Sequence, residues 1–85
     1  MFYLYILKSG RDGKLYIGYS NDLRKRIKEH NTGLVRATKS RVPFRVVYYE
    51  AYAEKEDATK REHNLKLRAK ALRQLLLRVK ASLRA

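Results

Sequence analysis

Three stretches of the chain are short and dense in aromatic and aliphatic residues, and three others carry apolar residues at every third or fourth position. Phe2–Leu7 and Leu15–Tyr19 read as strands, and the segment between them, Ser9-Gly10-Arg11-Asp12-Gly13-Lys14, is turn material with a strong Asp-Gly hairpin signal. Period-two alternation puts Tyr3 and Tyr5 on one face of the first strand and Tyr16 and Gly18 on one face of the second. The register between them is not set by sequence; a register that places Tyr5 and Tyr16 on a common face brings two phenols together, with Gly18 leaving backbone room beside them. Phe44–Tyr52 is the third strand, apolar on both faces around Val46-Val47-Tyr48-Tyr49 and so expected to be well covered.

The helical periods begin after Ser20-Asn21-Asp22, which supplies N-cap chemistry. A helix over Asp22–His30 carries Leu23 and Ile27 inward, places Arg26 and His30 beside each other at i and i+4, and is ended by Asn31-Thr32-Gly33. A basic loop over residues 33–43 holds Arg36, Lys39 and Arg41 and closes at Pro43. From Glu54 onward Ala58, Glu62, Leu65 and Ala69 form one helical stripe, so that Glu62 stands where an apolar residue is expected. A further helix is predicted over Lys70–Leu83, with Leu72, Leu75, Leu76, Val79 and Leu83 as its core stripe. The pattern predicts a single α/β (α+β) domain over residues 1–85, with a small three-stranded antiparallel-type sheet flanked by helices.

Charge adds a partner class. Twenty-one Lys and Arg against eight Asp and Glu give a formal net charge of +13, which favours an anionic partner, nucleic acid first. A membrane surface or ribosomal RNA would meet the same arithmetic, but no apolar run approaches the roughly 20 residues of a spanning helix, and no membrane partner is expected. There are no cysteines, which excludes disulfides and thiolate zinc sites. The start, Met1-Phe2-Tyr3-Leu4, lacks the basic region and cleavage site of a signal peptide, so the plain expectation is a cytoplasmic protein, taken as a monomer.

The chemistry-bearing residues form one pattern. Tyr3-Leu4-Tyr5, an eleven-residue step to Tyr16-Ile17-Gly18, then Asn21-Asp22-Leu23 with Arg26, His30 and Asn31, and finally Lys60-Arg61-Glu62 with Lys66, resemble a GIY-YIG nuclease domain over about Tyr3–Lys66. The likeness is greatest to the small stand-alone bacterial members, with related domains in an excision-repair nuclease and in homing endonucleases. The first motif reads Tyr-Leu-Tyr in place of Gly-Ile-Tyr, as is usual for small members, and the Asn that many family nucleases carry after the acidic helix has no clear counterpart.

The resemblance implies metal-dependent endonuclease chemistry on DNA, directed by structure or backbone, in the setting of repair or recombination. It assigns Glu62 as the sole protein ligand of one Mg²⁺ or Mn²⁺ ion, Arg26 as a fixed cation on the phosphate, Tyr5 or Tyr16 as the base that takes a proton from water, and His30 as acceptor of a tyrosine proton or as the group that orients a phenol. The basic side chains Arg24, Lys25, Arg36, Lys39, Arg41 and Lys66 are the expected phosphate contacts. Blander readings stand beside these. His30 as a C-terminal helix cation, Glu62 as an ion-pair partner of Lys66, and Tyr19, Tyr48, Tyr49 and Tyr52 as packing residues all follow from local pattern, and His63 reads as surface. A basic nucleic-acid-binding module without turnover, on DNA or RNA, is the alternative function.

Overall fold

The first strand runs two residues past its predicted end, because Ser9 caps the turn that follows. The Ser9 hydroxyl accepts from the amides of Arg11 (3.0 Å) and Asp12 (3.1 Å), and Gly13 takes the positive φ of 71° that the reversal needs. The computed structural model describes residues 1–84; residue 85 of the expected domain lies outside the described residues. In chain order it contains β1 (Phe2–Ser9), β2 (Leu15–Ser20), α1 (Leu23–Asn31), a 3₁₀ turn (Lys39–Arg41), β3 (Phe44–Tyr52), α2 (Lys55–Leu67), α3 (Ala69–Arg78) and α4 (Lys80–Arg84).

The three strands form one antiparallel sheet in the order β2-β1-β3, so the predicted fold class holds and β2 is an edge. The register pairs Tyr5 with Gly18 and Leu7 with Tyr16, which puts both phenols on one face. Between Ile6 and Leu7 the β3 partner jumps from Tyr48 to Val46. This bulge sends both Val47 and Tyr48 toward Leu4 and Ile6.

Each face has its own core. Leu4 and Ile6 pack under Leu65 of α2 and Leu75 of α3, while Tyr5, Leu7 and Phe44 pack under Leu23 and Ile27 of α1. Asp22 caps α1 by accepting from the Lys25 amide at 3.1 Å, and Gly33, with φ of 77°, follows its end. Asn31, the last residue of α1, exchanges two hydrogen bonds with the backbone of Phe44 (2.9 and 2.6 Å), tying α1 to the start of β3.

Two helical expectations need correction. Ala69 does not extend the stripe of Ala58 and Leu65; α2 stops at Leu67, Arg68 is extended, and Ala69 opens α3 as an exposed residue. The helix predicted over Lys70–Leu83 is broken at Val79. Lys8 Nζ (2.7 Å) and Arg45 Nη2 (3.0 Å) donate to the Leu83 carbonyl, and Arg45 Nη1 to that of Ser82 (3.0 Å); these bonds draw α4 back toward the sheet, and Leu83 packs on the Leu4–Ile6 core.

The helix that carries Glu62 is fixed to the sheet by a polar clamp one residue away. Arg61 donates to both oxygens of Glu50 on β3 (Nε–Oε1 3.0 Å, Nη2–Oε2 3.2 Å), and the hydroxyls of Tyr48 and Tyr52 donate to the same carboxylate. Burial works to raise the Glu50 pKa, but the hydrogen bonds from Tyr48, Tyr52 and Arg61 outweigh it and hold the carboxyl below its ordinary value. Tyr52, by burial and by the same carboxylate, is pushed up to about 12. Among the described residues no helix is long and apolar enough to cross a membrane.

Candidate active site

Tyr5 is the centre of a buried polar relay. Its side chain points from β1 onto the α1 face, is 1% exposed, and its hydroxyl lies 2.9 Å from His30 Nε2. His30, itself fully buried, reaches Thr38 Oγ1 through Nδ1 at 2.7 Å, and the Thr38 hydroxyl donates onward to the Val35 carbonyl at 3.4 Å. A threonine hydroxyl that donates to a carbonyl accepts from Nδ1–H, so the network assigns the proton of His30 to Nδ1. Nε2 is then the acceptor of the Tyr5 O–H, and the remaining lone pairs of the phenol are free to face other groups.

Burial, reinforced by the Arg26 charge, pushes the His30 pKa below its ordinary value, so the ring is neutral near pH 7. The reading of His30 as a helix-end cation is thereby corrected: it is a neutral interior group between two hydroxyls. A folded-state pKa below the unfolded one gives stability that is fully present above pH ~6.5 and is lost as pH falls from there through the folded value. Thermal melts from pH 8 to 5 are expected to show that decline, and a His30→Gln variant is expected to lose this component of the slope while keeping an uncharged side chain at the site.

Around the relay stand the other phenol and a cation. The Tyr16 ring lies 5.0 Å from His30, edge to face, and 6.5 Å from Tyr5. Tyr16 is half-buried, so it is the phenol of the pair that meets solvent. Burial pushes the Tyr5 phenol above its usual value, and the nearby Arg26 cation pulls it part of the way back. Arg26 is cationic at any working pH, and its Nη1 sits 3.1 Å from Glu29 Oε1. Gly18 makes this crowding feasible: a Cβ there would stand 2.5 Å from the Tyr5 hydroxyl oxygen and 3.2 Å from the Tyr16 ring.

Glu62 comes from the other side of the sheet, on α2. Its carboxylate is close enough to count among the charges acting on Tyr5. Its side chain is 18% exposed, with Oε2 3.2 Å from Lys66 Nζ and Oε1 without a protein hydrogen bond among the described residues. Both readings of Glu62 thus have a geometric basis: it pairs with Lys66, and it keeps an oxygen open. Among the described residues no three His, Asp or Glu side chains cluster in a metal-holding arrangement.

Of the expected phosphate contacts, Arg24 and Lys25 on α1 and Arg36 and Lys39 in the 33–43 loop are exposed. Arg41 is occupied elsewhere: it bonds Asp12 at 2.7 Å, reaches the Leu15 carbonyl, and lies 5.4 Å over the Phe44 ring. Thr38 escaped the sequence reading, because nothing in a basic loop marks one threonine as the residue that turns inward. Glu50 escaped it as well, since its partner Arg61 is eleven positions away.

Residues 1–75 match the GIY-YIG catalytic domain. A UPF0213 protein of Staphylococcus saprophyticus is 46% identical over 65 residues, covering 75% of this chain and 78% of the relative. A UPF0213 protein of Bacillus pumilus is 43% identical over 65 residues, covering 75% of this chain but 65% of its own length. The solution NMR structure of a UPF0213 protein from Bacillus halodurans superposes with a TM-score of 0.56 at 37% identity, covering 93% of this chain and 87% of that one. The chain belongs to the GIY-YIG catalytic domain family.

Proposed function

We propose that this single domain is a metal-dependent endonuclease that hydrolyses phosphodiester bonds in DNA by recognising backbone and shape. The observation that carries the reading is the gathering of Tyr5, Tyr16, His30 and Arg26 around a glycine that admits no side chain, with one carboxylate within electrostatic reach. The donor chemistry suits a hard divalent ion. Mg²⁺ and Mn²⁺ are satisfied by one carboxylate when water and phosphate oxygens complete the shell, and Glu62 Oε1 is the oxygen open for it. When bound there, such an ion supplies Lewis-acid stabilisation of the leaving 3′-oxygen.

The chain's own residues supply the rest. Arg26, braced by its bond to Glu29, contributes a fixed positive charge to the phosphate as it gains negative charge. Tyr16, the half-buried phenol of the pair, first gives its own proton to bulk solvent and then, as the phenolate, takes the proton from the attacking water. Tyr5 donates its O–H to His30 Nε2 and, being buried, walls the site on its dry side. Tyr16→Phe is expected to lower cleavage by roughly 10²–10⁴-fold with little change in DNA affinity. Single-turnover cleavage and anisotropy binding, run on the same branched and plain DNA substrates with Mg²⁺ or Mn²⁺, check both; unchanged turnover in Tyr16→Phe would reassign the base.

The bond between Lys66 and Glu62 favours a second reading, a binding module without turnover, because it occupies one carboxylate oxygen. That reading predicts salt-dependent binding with no cleavage on any substrate. RNA outcompeting DNA at equal salt would move the partner to RNA.

A further inference from the structure

Beside the candidate active site, a cleft of about 450 Å³ lies where β2 runs into α1 and the first turn of α2. It shares Arg26 with the site, so the two are continuous at the edge of the sheet. Its lining is chemically mixed in a way the catalytic proposal does not use. Tyr19 and Phe2 supply aromatic surface, and Lys25 and Lys55, both exposed, supply charge from two different helices. Two carboxylates also line it, and both are engaged: Glu29 with Arg26 at 3.1 Å, and Asp22 with the Lys25 amide at 3.1 Å. The amide bond leaves Asp22 its charge, but with Glu29 paired to Arg26 the two lysines outnumber it, and the lining is net positive.

We propose that this cleft is a nucleotide subsite next to the scissile phosphate, which takes one unpaired nucleotide of the substrate. A base stacks on the Tyr19 ring with Phe2 as the adjoining wall, and the phosphate joining it to the scissile one rests between Lys25 and Lys55. A base held inside a duplex cannot enter such a cleft, since its faces are covered by its neighbours, whereas a single-stranded flank presents a free π-face. The cleft thus selects substrates with a single-stranded segment at the cut, such as flaps, overhangs and branch points. The inference rests on the endonuclease reading for its biological sense, but the binding it describes does not depend on turnover.

The test is accordingly made without turnover. Fluorescence anisotropy is measured in EDTA, on single-stranded DNA and on the same sequence as a blunt duplex, for wild type, Tyr19→Leu and Lys55→Glu. Wild type is expected to prefer the single strand. Tyr19→Leu, which keeps an apolar side chain where Tyr19 packs, is expected to lose roughly ten-fold in single-strand affinity with little change for the duplex. Lys55→Glu, on an exposed position, is expected to weaken the single strand more than the duplex and to flatten the salt dependence. A single strand carrying 2-aminopurine should be quenched by wild type and not by Tyr19→Leu. Equal affinity of wild type for both DNAs, or unchanged single-strand binding in Lys55→Glu, overturns the subsite. The same assays on Glu62→Gln separate the two claims, because loss of cleavage leaves the binding preference standing if the subsite is right.

Discussion

Glu62→Gln is expected to reduce phosphodiester cleavage by about 10³-fold or more while leaving the melting temperature within a few degrees of wild type. With no cluster of three His, Asp or Glu side chains among the described residues, a divalent ion held by Glu62 would depend on it for protein charge, and glutamine offers a neutral oxygen that a hard cation binds weakly. Losing the Lewis acid removes several kcal/mol of transition-state stabilisation, which at about 1.4 kcal/mol per decade gives the stated range. The fold is expected to survive, since α2 is held by Ala58, Leu65 and the Arg61–Glu50 clamp, and the exposed Lys66 partner contributes little. Single-turnover rates with saturating Mn²⁺, beside thermal melts, check both halves. A rate within ten-fold of wild type would remove Glu62 from the chemistry.

Gly18→Ala is expected to be the most damaging single-methyl change in the protein. The added Cβ would meet the Tyr5 hydroxyl oxygen at 2.5 Å and its ring carbon Cζ at 2.7 Å, both inside any tolerable contact. Tyr5 has nowhere to yield, because it is buried between His30 and the α1 core. Moving it costs the overpacking strain of about 1–3 kcal/mol and leaves His30 Nε2 unpaired in a buried site, a further ~1–3 kcal/mol. Cleavage is expected to fall roughly 10²-fold as the phenol and Arg26 lose their alignment. Chemical denaturation and single-turnover rates measure the two effects. The double variant Tyr5→Phe with Gly18→Ala, which removes the clashing oxygen but not Cζ, is expected to recover part of the stability and none of the rate. Wild-type stability in Gly18→Ala alone would show that the relay is loosely packed.

The strands, the first helix and its cap were legible because each is written locally: aromatic runs bounded by Asp-Gly and Pro, and Asp22 followed by Leu23 and Ile27 at helical spacing. The paired phenols and Arg26 were legible as a motif, and their meeting on one face needed only the register. That register was not legible, since strand patterns alone leave the pairing free and the bulge between Ile6 and Leu7 is set by packing with β3. Thr38 was silent for the same reason: its role comes from being buried against His30, not from its neighbours in sequence. The break at Val79 was hidden because it depends on Lys8 and Arg45, on strands distant in sequence, binding the carbonyls of Ser82 and Leu83. Tyr48 and Tyr52 do pack, as aromatic strand residues should, but their hydroxyls also bind a carboxylate that no local pattern pairs with Arg61.

The most direct test of the account is a Mn²⁺ titration followed by amide NMR line broadening on the 85-residue protein. The account predicts that the amides of Glu62 and Gly18, with those of Tyr16 and Arg26, broaden first, and that the effect disappears in Glu62→Gln. Broadening that instead begins at Glu54, Glu56 and Asp57, or that is unchanged by Glu62→Gln, would contradict it.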